Sequence, residues 1–245
     1  MIKAFQMKIF TIFLLFTASA FSQISISGLS GGYDINLVST SPFDKFVSTW
    51  NYENSGSIVT SMSPPGTLPG FGLNVFYDDG MFLTYSFGYS QNKGRMTGTL
   101  DPLLSTDKSA GLDIDLTLHN FTSGFSLPIV TGEAASVIIM PSVEFGYGWI
   151  DHEMKVKGLN RTFENYTGTM YSFAGGLTLF IEVLAPLYLY GKASYTTTFI
   201  TSGFSTLYDD AGLKTGYRHF QRYDTGGTLT AIKLQLGITF LLFDY

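Results

Sequence analysis

The sequence contains no cysteine, so neither a disulfide framework nor a thiolate metal site is available to it. Charge is almost as scarce: Asp, Glu, Lys and Arg make up 13% of the 245 residues, against about 25% in ordinary soluble proteins. There is no Lys/Arg cluster and the formal charge is −5, which argues against a nucleic-acid partner. After residue 22 no stretch reaches about 18 consecutive apolar residues, so any membrane crossing has to be built from strands. Neither a Gly-rich phosphate loop nor a clustered set of metal ligands occurs, and no cofactor is expected.

What the chain does have is apolar, aromatic and small. Hydrophobic residues make up 45% and aromatic residues 16%, with 22 Phe, 15 Tyr and 27 Gly. Residues 1–22 have the three parts of a secretory signal: Lys3 and Lys8, the apolar run Ile9 to Phe16, then small residues ending at Ala20 and Ser22. Cleavage after Ser22 leaves residues 23–245 as one domain. Losing two lysines and no acid takes the formal charge from −5 to −7.

The remaining chain alternates apolar and polar residues with a period of two, which marks strands. The last stretch, Ala231 to Tyr245, sets Ile232, Leu234, Leu236, Ile238, Phe240 and Leu242 on one face and Lys233, Gln235 and Gly237 on the other. A terminal strand this apolar needs a sheet to receive it. Seven more stretches precede it, beginning near Gly28, Phe71, Met81, Leu112, Ser136, Tyr171 and Leu187. Between them the connections alternate long and short. The long ones, 39–70, 91–110, 151–164 and 201–227, are polar and broken by Gly or Pro. In the first short turn, Asp78-Asp79-Gly80 is expected to set Tyr77 opposite Met81. Within the fourth stretch the apolar parity moves from Leu112, Ile114, Leu116 and Leu118 to Phe121 and Phe125, which predicts a β-bulge near His119 or Asn120. Pro141 inside the fifth is a misfit that the sheet must absorb locally.

Period alone does not say which face is inside. On a soluble barrel the polar face meets water and carries many charges; here it is mostly Ser, Thr, Gly and Asn, which suit a narrow lumen. Aromatics gather toward strand ends at Tyr89, Trp149, Tyr171, Phe199, Phe240 and Phe243, as girdles at two membrane interfaces would. Gln235, Gly237, Phe240 and Leu242 also resemble, in register, the C-terminal assembly signal of bacterial outer-membrane barrels. In strand count, loop asymmetry and this signal, residues 23–245 resemble the small barrels of the OmpA and OmpX type. The expected fold is therefore all-β: an eight-stranded antiparallel transmembrane barrel with long extracellular loops, short periplasmic turns and both termini periplasmic. The resemblance implies outer-membrane lipid and the barrel-assembly machinery as partners, and a larger envelope complex as a further one.

Charged residues on the polar faces are few: Asp34, Asp113, Asp115, Glu144 and Glu182, with Lys192 and Lys233 as cations. In a lumen such groups must pair or be hydrated, so Asp34, Asp113, Asp115, Glu144, Lys192 and Lys233 are expected to form a structural network there. A proton or ion path is the alternative. For catalysis the candidate bases are His119, His152 and His219. Outer-membrane acyl-modifying enzymes set His beside Ser or Asp, which singles out Asp151 with His152. The adjacent acids Asp78–Asp79 and Asp209–Asp210 fit turn propensity. Trp50 and Tyr52, in the first long loop, are the candidate contacts for a partner. The expected function is non-enzymatic: presenting loops for binding, or docking as an accessory subunit. A lipid-modifying enzyme and a narrow ion-conducting channel are the alternatives.

Overall fold

A computed structural model describes residues 26–40, 42–78, 83–105, 108–131, 137–202, 204–213 and 227–241. The signal segment 1–22, Asp79, Gly80, Met81, His219, Leu242 and Phe243 lie outside them. Eight long strands form the wall: β1 (Ile26–Thr40), β2 (Thr67–Asp78), β3 (Thr84–Leu100), β4 (Gly111–Ser126), β5 (Val137–Lys157), β6 (Arg161–Leu184), β7 (Leu187–Ser202) and β8 (Gly227–Leu241). Each pairs antiparallel with its sequence neighbours, and β8 returns to β1 with Gly32 opposite Gly237, closing the barrel. Closure removes the sheet edges that an open structure would expose. Two three-residue strands, Ile58–Thr60 and Ile129–Thr131, pair with β3 and β5.

Outward positions through the middle of the wall are apolar and uncovered, among them Leu29, Tyr33, Leu73, Phe145, Phe173, Leu177, Leu189, Leu236 and Phe240. Inward positions at the same depth are Ser30, Asp34, Asn74, Glu144, Ser194 and Gln235, all at least partly buried. The polar face is therefore the lumen.

Four local expectations need correction. Tyr77 stands opposite Tyr85, so the first turn is longer than a three-residue hairpin. β4 has no bulge: its register runs without interruption against both neighbours, from Gly111 to Ser126. Parity is constant, and polarity inverts instead. Leu112, Ile114, Leu116 and Leu118 point inward and are buried, whereas Phe125, farther down the same strand, is exposed on the outer face. Two of the long polar loops are largely strand, because β3 continues to Leu100, β5 to Lys157, and β6 starts at Arg161. Beyond the lipid-facing band the wall resembles a soluble barrel, apolar within and polar without, and a reading tuned to lipid-facing strands takes that polar exterior for loop. The first loop, in turn, holds helix α1 (Phe43–Glu53).

Pro141 is accommodated at a break in one ladder. β4 stops pairing with β5 at Ser126–Ser142, and the short strand takes over at Ile129–Ile139. The missing N–H of Pro141 falls at that junction, where its carbonyl accepts from Leu127 N at 3.1 Å.

Candidate functional site

The lumen is layered. Near the termini, Phe76, Ile138, Met140, Phe180, Tyr188 and Leu241 form a small apolar cluster. Above it lies an ionic layer. Lys233 Nζ is 3.0 Å from Asp34 Oδ2, and Asn92 Nδ2 donates to Asp34 Oδ1 at 2.5 Å from two strands away, over Gly70. Lys192 pairs with Glu144. Asp34 has no solvent contact, so its charge is tolerable only because a cation and an amide meet it. The void beside Glu144 and Lys192 measures about 10 Å³, room for no more than a water.

Asp113 and Asp115 do not join this layer. They sit on β4 above the lipid-facing band, on the outer face that constant parity gives to odd positions. Arg95 lies 3.5 Å from Asp113 and 3.7 Å from Asp115, and Lys157 lies 3.2 Å from Asp113. Burial pushes the Asp113 carboxyl up, but the Thr97 hydrogen bond and the charges of Lys157 and Arg95 together bring it below the ordinary range.

The extracellular half of the lumen is filled by protein. Phe43, Phe46, Val47 and Trp50 of α1 are all buried, as are Phe204 and Leu207 of a second helix, α2 (Phe204–Asp210). They pack with Met96, Leu112, Ile114, Leu116, Ile150 and Met154 of the wall. Trp50 is not the surface contact that its place in a polar loop suggests: it is 2% exposed, with its ring against Gly98, where an added Cβ would come within 2.5 Å. Tyr52, two residues on, is 82% exposed. Sequence reading missed α1, although Phe43, Phe46, Val47 and Trp50 have the i, i+3, i+4, i+7 spacing of an amphipathic helix.

Asp151 and His152 are not partners, because adjacent strand residues face opposite ways. Asp151 lies outside, accepting from Trp149 Nε1 at 3.0 Å, with His119 Nε2 at 3.7 Å. His119 stacks on Trp149 and meets the Tyr89 hydroxyl at 2.8 Å. His152 lies inside, with Nδ1 2.6 Å from Thr167 Oγ1 and Nε2 3.0 Å from Asp210 Oδ2, which also accepts from Asn165 at 2.7 Å. Burial pushes the imidazole below its ordinary range, against the opposing pull of Asp210. The neutral ring fits both contacts, donating to Asp210 and accepting from Thr167. Thr167, His152 and Asp210 are connected like a nucleophile, base and orienting acid, yet Thr167 is fully enclosed. Their visible effect is to fasten the last residue of α2 to the wall. Among the described residues no group of three His, Cys, Asp or Glu could hold a metal.

The C-terminal residues are split by parity. Gln235 is buried in the lumen and Gly237 faces it, while Phe240 stands on the outer surface, 53% exposed. Glu182 is opposite Tyr188 near the terminal end. Asp209 is exposed on α2.

A closed wall with an unbroken apolar exterior and charges sealed within has one solvent that suits it, a bilayer. The chain is an integral β-barrel of the outer-membrane type. No protein-family model matches it, and no curated protein matches it in sequence. Solved structures do. Neisserial surface protein A is 11% identical, covering 90% of this chain and 99% of that one with a TM-score of 0.47. Ail, the attachment invasion locus protein of Yersinia pestis, is 13% identical, covering 88% and 100% with a TM-score of 0.41. A major outer membrane protein from Thermus thermophilus is 10% identical, covering 87% and 99% with a TM-score of 0.46. At such identities the likeness concerns fold alone, and the architecture rests on this chain's own strand order and apolar band.

Proposed function

We propose that this barrel is a non-enzymatic display scaffold, anchored in the outer membrane and holding extracellular segments for contact with another macromolecule. The observation that carries this reading is the uncovered apolar surface at the loop end. Leu103 is 90% exposed, Tyr52 82%, Val59 68% and Leu104 66%. They stand on segments tied together by the Asp101 N to Ser57 O hydrogen bond of 2.8 Å. Large apolar side chains grouped in water, away from the lipid-facing band, mark interaction surfaces. The packed lumen speaks against conduction, and the burial of Thr167 and His152 speaks against catalysis.

Photo-crosslinking in the native envelope tests the reading. A photoreactive residue at Leu103 is expected to give a discrete protein adduct, and one at lipid-facing Leu236 is not. Adducts from Leu184, in the turn at the terminal end, with none from Leu103, would replace display by docking from the periplasm. No adduct at either site would remove the reading.

A further inference from the structure

Charge on the outside of the barrel is confined to one side. Every outward-facing residue described on β1, β2, β7 and β8 is uncharged. β3, β4, β5 and β6 rise above them as an asymmetric sheet, because β2 stops pairing with β3 at Gly70–Asn92 and β7 stops pairing with β6 at Thr169–Ser202. The foot of that sheet is where lipid gives way to water. On β3 the outward residues are Tyr85, Phe87 and Tyr89, then Gln91, Lys93 and Arg95; on β4 Phe121 is followed by His119, Thr117 and Asp115. Lys93 lies four residues beyond Tyr89, about 13 Å along the strand and, at a tilt of about 40°, about 10 Å higher. The head-group layer is about 5–8 Å deep on each side of a bilayer, and a lysine stem can lie along apolar surface while its ammonium stays in the polar layer. Lys93 is therefore placed to meet head groups.

The other charges around it are already matched. Arg95 is within 3.7 Å of both Asp113 and Asp115, Lys157 is 3.2 Å from Asp113, and Lys155 is 2.8 Å from Glu153. Asp151 accepts from Trp149. Lys93 stands directly opposite Thr117 rather than an acid, and no described residue forms an ion pair or hydrogen bond with its ammonium. Gln91 and Thr117, beside it on the same outer face, are hydrogen-bond donors whose side chains also lack a described partner. Below them the surface is fixed. The Tyr89 hydroxyl meets His119 Nδ1 at 2.8 Å, the His119 ring stacks on Trp149 at 4.8 Å, and Tyr89 packs against Phe71 and Phe121.

A ligand for this surface needs two parts. One is an anion whose oxygens accept from Lys93, Gln91 and Thr117, and the other is an apolar body to lie along Phe71, Tyr89 and Phe121. A lipid with a phosphate head group has both, in that order and at that depth. A dissolved anion has only the first.

We propose that Lys93, with Gln91 and Thr117, forms a binding site for the phosphate head group of an outer-leaflet lipid, whose acyl chain lies along Phe71, Tyr89 and Phe121. The site is separate from the loop-end surface and does not depend on the display reading. Native mass spectrometry of the full chain, refolded in an uncharged detergent, tests it with phosphatidic acid, diacylglycerol of the same acyl chains, and glycerol phosphate. Phosphatidic acid adds as one preferred copy, and the other two bind at least about tenfold more weakly. Lys93→Gln weakens phosphatidic acid about fivefold, as loss of one exposed ion pair does. Lys155→Gln makes the same change of charge at a lysine already paired with Glu153, and weakens it by less than about twofold. Both lysines are exposed, and heat-modified gel mobility confirms that each variant is folded before binding is read. A loss in Lys93→Gln no larger than in Lys155→Gln, diacylglycerol or glycerol phosphate binding as tightly as phosphatidic acid, or no saturable binding overturns the inference.

Discussion

Asp34 is buried without solvent contact and is held by Lys233 and Asn92. Removing one partner of a buried pair strands the other charge, a loss of about 3–5 kcal/mol. Lys233→Met should therefore lower stability in urea by about that much, and restoring neutrality with Asp34→Asn should recover most of it; a single-variant loss below about 1 kcal/mol would contradict the pairing. His152 makes a weaker prediction with a definite sign. Its folded value is depressed by burial, so the unfolded chain binds the extra proton. Its contribution is fully present above the unfolded value of about 6.5 and is lost as pH falls through the folded value. Amide protection in α2, taken relative to the intrinsic exchange rate at each pH, should fall between pH 7.5 and pH 5 in the native chain and change less in His152→Gln. At this scale the sequence was informative where charge is rare: Asp34, Glu144, Lys192 and Lys233 stood out because the rest of their face is Ser, Thr and Gly. Asp113 and Asp115 were misplaced because parity was anchored to polarity, which does not hold along the whole of β4.

Individual elements show why. β4 keeps one register while its apolar residues pass from the inner face to the outer. The inversion occurs where the solvent outside changes from water to lipid, so one strand satisfies two environments without a bulge. The absence of native cysteine makes this testable by single-cysteine labelling on whole cells. A membrane-impermeant maleimide should modify Asp115→Cys and leave Leu116→Cys unreacted. The opposite pattern would restore the bulge. Helix α1 offers a second test, through Trp50 against Gly98. Gly98→Val places atoms where the indole lies, and overpacking of this kind costs about 1–3 kcal/mol. Trp50 and Trp149 are the chain's two tryptophans, so the emission shift is readable; an unchanged spectrum and stability would show that α1 does not fill the lumen. The helix was hidden from sequence reading by its neighbourhood of Ser, Thr, Pro and Gly, despite its apolar spacing.

For the molecule as a whole, strand number was legible because period two survives in any solvent, whereas the alternation of long and short connections was not: β5 and β6 are joined by three residues, Gly158 to Asn160. The height of the extracellular sheet was not, since its water-facing exterior resembles loop composition. What remains is a barrel that lipid surrounds, protein fills and an asymmetric sheet surmounts. With α1 and α2 above the ionic layer and Phe76, Ile138 and Phe180 below it, planar bilayers holding the protein should show no conductance above background. Lipid on the outside is the central claim, and Leu236, 71% exposed in mid-strand, reports on it most directly. A nitroxide at this position in proteoliposomes should collide more often with oxygen, which concentrates in the bilayer, than with a water-soluble nickel chelate. Preferential collision with nickel, in a protein shown to be folded, would contradict the account.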